Sequence, residues 1–115
     1  MSRGQIWRVD LDPAVGNQAR KTRPALIVGR TALTRRALES STGVVTVVPL
    51  TSNTARVWDF QVLIPASASG LRQDCKAQAE QVRTVSVRRL LQQVGAVPEP
   101  VSIQVDEAIR LYLGL

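Results

Sequence analysis

Short runs of β-branched and aliphatic residues, separated by polar and proline-containing stretches, favour a chain built mainly from β-strands. Residues 25–28 read ALIV and residues 44–48 read VVTVV. The continuous apolar run that follows Pro24 predicts a central strand covered on both faces. The predicted strands cover residues 5–9, 24–28, 43–50, 60–64 and 75–85.

Helical patterns are fewer. Apolar spacing predicts a short amphipathic helix over 31–40 and a terminal one over 101–113. Ser86 as a cap and Gly95 as a stop predict another helix over 87–94. Residues 14–23 are expected to form an exposed loop, and 65–71 a turn of small residues. The 115 residues therefore predict a single domain, 1–115, with a mainly β, partly open barrel and a C-terminal helix.

The balance of charge is basic and is carried mostly by arginine. Lys and Arg number 15 against 9 Asp and Glu, which gives a net charge of +6. Arginine suits bidentate contacts to phosphate and stacks on bases. Charge alone leaves two interpretations open, a solvated surface and a nucleic-acid-binding face.

The absence of histidine excludes several kinds of site. The chain has no histidine and one cysteine, so serine–histidine and cysteine–histidine nucleophile pairs are excluded and a zinc site is disfavoured. A single cysteine cannot form an internal disulfide, which fits a reducing cytoplasm. No apolar run approaches the ~18 residues that span a bilayer, and we expect neither a signal peptide nor a membrane contact.

Three stretches hold residues that could carry chemistry. In the first, Arg20, Lys21 and Arg23 lie just before a predicted buried strand. Because a residue before proline is confined to an extended backbone, Pro24 gives Arg23 a defined direction, whereas the other two cations have no such constraint. A solvated basic loop is the alternative.

The second stretch, Thr51 to Thr54, ends a strand in hydroxyl and amide groups that suit a phosphoryl oxygen, although simple turn chemistry is an alternative. In the third, strand alternation over 75–85 sets Gln78 and Glu80 on one side and Gln81 on the other. A charge at Glu80 needs a partner or a wet site. Trp58 could stack on a base, or could belong to a core or an interface.

These stretches, taken with their order and spacing, resemble the MazF/PemK toxins of bacterial toxin–antitoxin pairs. The matching pieces are RGQIW at 3–7, DLDP at 10–13, RPALIV at 23–28, VVPLTS at 47–52, EQVRT at 80–84 and VDEAIRL at 105–111. The resemblance spans nearly the whole chain.

The resemblance implies an SH3-like barrel, a homodimer and a metal-independent endoribonuclease without a cofactor. Such enzymes cut single-stranded RNA at short motifs, leave 2′,3′-cyclic phosphate and 5′-hydroxyl ends, and inhibit translation and growth. A cognate MazE-like antitoxin with an acidic, flexible tail neutralises them.

Site residues follow from the same resemblance. Arg23 and Thr51 match the catalytic arginine and threonine of the family, and Glu80 matches an acidic position that contacts RNA or assists chemistry in some members. Gln78 stands where some members have an arginine. The expected RNA-binding residues are Arg20, Lys21, Ser52, Asn53, Trp58, Gln78 and Gln81, and Glu80 is a candidate general base.

Two other functions stay open on the sequence alone. A CcdB-like gyrase poison shares the barrel, but such proteins act through a Trp-Gly-Ile ending, whereas this chain ends Leu113-Gly114-Leu115. A plain RNA-binding module would bind RNA without cleaving it.

Overall fold

A computed structural model describes residues 3–11, 22–40 and 42–115. Across these residues seven strands form one antiparallel sheet. The strands are β1 Gln5–Asp10, β2 Thr22–Val28, β3 Val44–Thr51, β4 Gln61–Ile64, β5 Cys75–Gln78, β6 Arg83–Ser86 and β7 Leu90–Ala96. The helices are α1 Thr31–Ser40, α2 Ala66–Ser69 and α3 Glu99–Leu113, and 3₁₀ turns occupy Ala79–Gln81 and Val87–Arg89.

The sheet forks at β3. Its strand order is β4-β5-β3-β2-β1-β7, and β6 also pairs with β3. Val44 to Val47 pair with β6, whereas Leu50 and Thr51 pair with β5. Over the described ranges the sheet does not close on itself, because β4 and β7 lie at opposite ends of the order. The prediction of a mainly β, partly open fold with a C-terminal helix is confirmed.

Two apolar clusters lie on opposite faces of the central strands. Along β2, Leu26 and Val28 belong to one cluster, which α3 covers through Val105. Ala25 and Ile27 belong to the other, which α1 covers through Ala37. Because successive strand residues face opposite sides, a continuous apolar run is what a strand covered on both faces requires. The predicted central strand is confirmed.

The first turns of the chain are tied to α3 by an ion pair. The Arg3 guanidinium contacts both carboxylate oxygens of Asp106, with Nη1 donating to Oδ1 at 3.2 Å. This hydrogen-bonded partner raises the pKa of Arg3 above its ordinary value. No helix in the described part of the chain is long and apolar enough to cross a membrane.

The helix predicted over 87–94 is wrong. The Ser86 hydroxyl does accept a hydrogen bond from Arg88 N–H at 3.3 Å, as a cap would. However, only the 3₁₀ turn Val87–Arg89 follows, and the chain then enters β7 and pairs with β1, with Trp7 opposite Gln93. Sheet pairing therefore overrides the local helical pattern.

Two other elements differ from their predictions. The strand predicted over 75–85 is interrupted by the 3₁₀ turn Ala79–Gln81, which carries the chain from β5 to β6. The turn predicted over 65–71 contains the single-turn helix α2. This helix packs closely on β7, because a Cβ added at Gly95 would lie 2.5 Å from the Ser69 carbonyl oxygen.

Candidate active site

A groove of about 320 Å³ lies at the fork of the sheet, on the face of the second apolar cluster. It is open to solvent and polar. Its lining residues come from β2, β3, β5 and β6, from the residue after β1 and from the 3₁₀ turn after β5: Leu11, Arg23, Pro49, Gln78, Gln81 and Arg83. Two guanidinium groups and two side-chain amides therefore converge where β3 changes partners.

Arg23 projects from the regular part of the sheet. The sequence predicts Arg23 as the last residue of a loop, but β2 begins at Thr22, and Arg23 pairs with Val9 of β1. The ladder continues past Pro24 because β1 extends to Asp10, which pairs with Thr22. The Arg23 side chain is exposed, and its strand backbone gives it the defined direction that the following proline predicted.

Thr51 ends the neighbouring strand on the same face. β2 and β3 pair with Ala25 opposite Pro49, and continuing this register by two residues sets Arg23 opposite Thr51. Thr51 is half-buried, and its Oγ1 accepts a hydrogen bond from Asn53 N–H at 3.3 Å. The structure thus brings the two predicted catalytic residues to adjacent strands, with Thr51 just beyond the groove lining.

Arg83 is a groove residue that the sequence analysis missed. Its Nε donates to the Gln81 carbonyl at 3.2 Å, and its Nη2 donates to Gln81 Oε1 at 3.0 Å. These contacts hold a second guanidinium at the groove. The signal was present in the sequence, since Arg83 follows Gln81 by two residues and belongs to the EQVRT piece.

Glu80 does not line this groove. Gln61 Nε2 donates to Glu80 Oε2 at 2.9 Å, and the other carboxylate oxygen is buried without a hydrogen-bond partner among the described residues. The alternation expected over 75–85 grouped Glu80 with Gln78, but the 3₁₀ turn breaks that period. Gln78 and Gln81 share the groove instead, and Glu80 turns toward β4.

The loop from Ser52 to Phe60 is anchored at Arg56 and at Trp58. Gln61 Oε1 accepts a hydrogen bond from Trp58 N–H at 3.1 Å. Lys76, the cross-strand neighbour of Thr51, is only 8% exposed, and its ammonium donates to the Arg56 carbonyl. These anchors place the loop beside the end of β3.

Trp58 belongs to an aromatic ladder on this loop. The Arg56 guanidinium carbon lies 3.7 Å from its ring centre, and Phe60 stacks on it at 6.0 Å with an interplanar angle of 9°. Phe60 in turn contacts Tyr112 of α3 at 5.3 Å. Trp58 is 45% exposed, so it is not a core residue. Its ring is also not fully free to stack on a base, because Arg56 and Phe60 contact it.

The remaining predicted residues are placed as follows. Ser52 and Asn53 are exposed, and Asn53 Oδ1 accepts a hydrogen bond from Ala55 N–H at 3.4 Å, which is turn chemistry. Arg20 and Lys21 lie outside the described residues. Within the described ranges, no group of three histidine, cysteine or acidic residues could hold a metal ion.

Comparison with known proteins supplies the family. The model of the PemK-like, MazF-like toxins of type II toxin–antitoxin systems matches residues 2–113. Endoribonuclease MazF9 of Mycobacterium tuberculosis is 50% identical over 115 residues, covering 100% of this chain and 98% of that protein. Endoribonuclease PemK of Escherichia coli is 36% identical, covering 91% of this chain and 76% of its own length.

Solved structures agree with this assignment. A mycobacterial endoribonuclease in complex with its cognate antitoxin superposes with a TM-score of 0.75 at 28% identity, covering 100% of this chain and 96% of that one. A MazE–MazF structure from Deinococcus radiodurans gives a TM-score of 0.78 at 25% identity, with 100% and 96% covered. The chain therefore belongs to the PemK-like, MazF-like toxins of type II toxin–antitoxin systems.

Proposed function

We propose that this single-domain toxin is an endoribonuclease that cleaves single-stranded RNA at the fork of the sheet. The observation that carries the proposal is the placement of Arg23 and Thr51 on one face of adjacent strands, beside a groove lined by polar side chains. Relatives that span the whole chain are named endoribonucleases, which supports the same activity here.

The reaction is an in-line attack of a ribose 2′-hydroxyl on the adjacent phosphorus. The 2′-oxygen–phosphorus bond forms while the bond from phosphorus to the 5′-oxygen breaks. Solvent water accepts the proton of the 2′-hydroxyl and supplies a proton to the leaving 5′-oxygen, so the products are a 2′,3′-cyclic phosphate and a 5′-hydroxyl. DNA lacks the attacking hydroxyl and should resist.

Arg23 and Thr51 stabilise the charge that builds on the phosphoryl oxygens. A guanidinium and a hydroxyl aimed at those oxygens act as preorganised donors. Since arginine stays protonated in proteins, Arg23 is an electrostatic stabiliser and a hydrogen-bond donor to the leaving 5′-oxygen rather than an acid or a base. This donor set meets the electrostatic need without a metal ion.

Glu80 acts in this proposal mainly through Gln61. Its carboxylate is held away from the groove, so we assign it to positioning the 52–60 loop, with direct proton transfer as the alternative to be tested. The RNA would be gripped by Gln78 and Gln81 in the groove, by Ser52, Asn53 and Trp58 on the loop, and by Arg20 and Lys21.

Exposed apolar residues and the net positive charge support two protein partners. Leu63, Ile103 and Leu111 are exposed around a depression of about 480 Å³ between β4 and α3, which supports a homodimer formed on this face. The net charge of +6 suits a MazE-like antitoxin with an acidic segment. A cytoplasmic location is part of the same proposal.

One assay tests the central claim. The purified protein is incubated in EDTA with a long RNA and with the matching DNA, and the ends are mapped. We expect discrete cuts in RNA only, with cyclic phosphate ends, and a rate of cutting that is roughly 10²- to 10³-fold lower in Arg23→Ala. Arg35→Gln, an exposed change on α1, is the matched control. No cutting of several RNAs by the native chain would overturn the proposal, and gyrase inhibition would then be measured.

A further inference from the structure

A second groove, of about 530 Å³, lies on the opposite face of the sheet from Arg23. Arg8 of β1 pairs with Pro24, and Pro24 faces the side opposite its neighbour Arg23 because strand side chains alternate. The groove is bounded on one side by these strands and β7, and on the other by the segment 70–73 that follows α2. It is lined by Arg8, Arg72, Gln73 and Gln92, with Leu71 and Val94 among its apolar residues.

The two arginines of this groove are not neutralised by the rest of the described structure. Arg8 and Arg72 are exposed, and within the described residues neither has a hydrogen bond or an ion pair. Arg3 and Arg89, by contrast, are bound to Asp106 and to the Asp10 carbonyl. The nearest acidic neighbour in sequence, Asp74, accepts a hydrogen bond from Ala66 N–H at 2.8 Å. Two guanidinium groups that line one groove and are left in this state attract an anion.

The uncharged lining narrows the class of ligand. Leu71 and Val94 pack against the first apolar cluster and line the groove, so their exposed parts offer an apolar surface there. Gln73 and Gln92 add amides that donate and accept hydrogen bonds, as the edges of nucleobases require. An inorganic anion would contact only the guanidinium groups. A nucleotide would contact the guanidinium groups through its phosphate, and the amides and apolar side chains through its base.

The segment that forms one wall is held in place. Leu71 N–H donates to Ser69 Oγ at 3.2 Å, and Gly70 N–H donates to the Ala66 carbonyl at 3.0 Å. Gly70 adopts a left-handed conformation, φ 81°, which glycine tolerates best. The close approach of Ser69 to Gly95 fixes this wall against β7.

We infer that this groove binds one nucleotide of the single-stranded RNA, with the phosphate between Arg8 and Arg72 and the base against Leu71 and Val94. The inference rests on the proposed function, because the ligand is part of the RNA that Arg23 would cleave. Arg23 and Pro24 are consecutive residues, so the two grooves are separated by the thickness of one strand. RNA flanking the cleavage site would reach this groove around the start of β2.

The test compares two double variants in RNA binding. Arg8→Gln with Arg72→Gln removes both groove cations, and Arg35→Gln with Arg36→Gln removes two exposed cations from α1 with little change in helix propensity. The probe is a fluorescent 12-residue RNA with every 2′-hydroxyl methylated, which the native protein cannot cleave. Thermal unfolding first establishes that both variants are folded.

We expect the groove variant to raise the Kd about ten-fold at 0.1 M salt and to reduce the slope of log K against log salt by about 0.7, the value for the loss of one phosphate contact on a single strand. The α1 variant should change the Kd less than about two-fold, since neither Arg35 nor Arg36 lines either groove. Equal weakening in both variants would show an effect of net charge and would overturn the inference.

Cleavage by the native protein separates this inference from the proposed function. If the native protein cuts RNA and the groove variant binds like the α1 control, only the inference fails. If the native protein binds but does not cut, and the groove variant alone loses binding, only the proposed function fails.

Tighter binding of a nucleoside monophosphate than of the RNA would assign the groove to a free nucleotide. Loss of affinity for a polyglutamate peptide, with RNA binding unchanged, would assign it to an acidic protein. Either result would overturn the assignment to RNA.

Discussion

The side-chain amide of Gln61 donates a hydrogen bond to Glu80 Oε2 at 2.9 Å, and the oxygen of the same amide accepts one from Trp58 N–H at 3.1 Å. Gln61 is 7% exposed, so this link is shielded from water and is stronger than a surface contact would be. It connects the 3₁₀ turn after β5 to the loop beside Thr51.

Replacing Glu80 with glutamine should therefore preserve most of the cleavage activity. A glutamine oxygen can accept the Gln61 amide as the carboxylate does, whereas Glu80→Leu leaves that amide unpaired and should cost about 1–3 kcal/mol of unfolding free energy. We expect single-turnover cleavage by Glu80→Gln to fall less than about ten-fold. A loss of 10²- to 10⁴-fold, with the loop and stability unchanged, would instead identify Glu80 as the general base.

Arg23 and Thr51 should behave as charge-stabilising groups. We expect Arg23→Ala to lower the cleavage rate by roughly 10²- to 10³-fold and Thr51→Val by a smaller factor, because each removes a donor to the phosphoryl oxygens. RNA affinity, measured on the methylated probe, should fall only a few-fold. If Arg23→Ala cleaves RNA at a near-native rate, the assignment of the groove at the fork as the active site is wrong.

The sequence predicted the strands that hold Arg23 and Thr51 because each contains a continuous apolar run. Such a run indicates a strand that is buried on both faces. It could not predict which way Glu80 faces, since one 3₁₀ turn at Ala79–Gln81 breaks the two-residue period on which that argument depended. The order LLQQV at 90–94 is compatible with helix and strand alike, and only the partner strand β1 decides it. Contacts distant in sequence, such as that of Gln61 with Glu80, leave no local pattern.

Gly95 should be intolerant of a larger residue. A Cβ there would lie 2.5 Å from the Ser69 carbonyl oxygen, which belongs to the backbone and cannot rotate away. We expect Gly95→Ala to lower the free energy of unfolding in urea by about 1–3 kcal/mol.

Gly70→Ala provides a comparison, since a Cβ at Gly70 meets nothing within 4 Å and strain arises only from its positive φ. Its cost should be about 1 kcal/mol. Equal stability of Gly95→Ala and the native chain would show that α2 is free to move away from β7.

The buried thiol of Cys75 should make the protein less stable in alkali. Burial raises the pKa of Cys75 above its ordinary value, and Asp74 adds to the effect. Because the folded state holds the thiol proton more tightly than the unfolded chain does, the stabilisation is complete below the unfolded pKa of about 8.5 and is lost as pH rises through the folded value.

Cys75→Ala removes this titration. The native chain should therefore lose its stability advantage over Cys75→Ala as the pH of urea unfolding is raised from 7 to 10. A difference between the two proteins that is constant across this range would contradict the raised pKa. Arg, Lys and Tyr are common to both proteins, so their titration cancels in the comparison.

Because β3 is divided between two partner strands, the residues held in the sheet are separate from the residues carried by connecting segments. The connecting segments can change in sequence without altering the sheet. Arg23 is fixed by the ladder of β2 with β1, and Thr51 by the ladder of β3 with β5. The residues that would read RNA bases are carried by the 52–60 loop, the 79–81 turn and the 70–73 segment. These three pieces connect strands without forming the ladder itself. Substitutions in them would alter which RNA sequences are cut, while the geometry of the two residues proposed to cut RNA persists. A family of toxins with many target sequences and one chemistry could arise in this way.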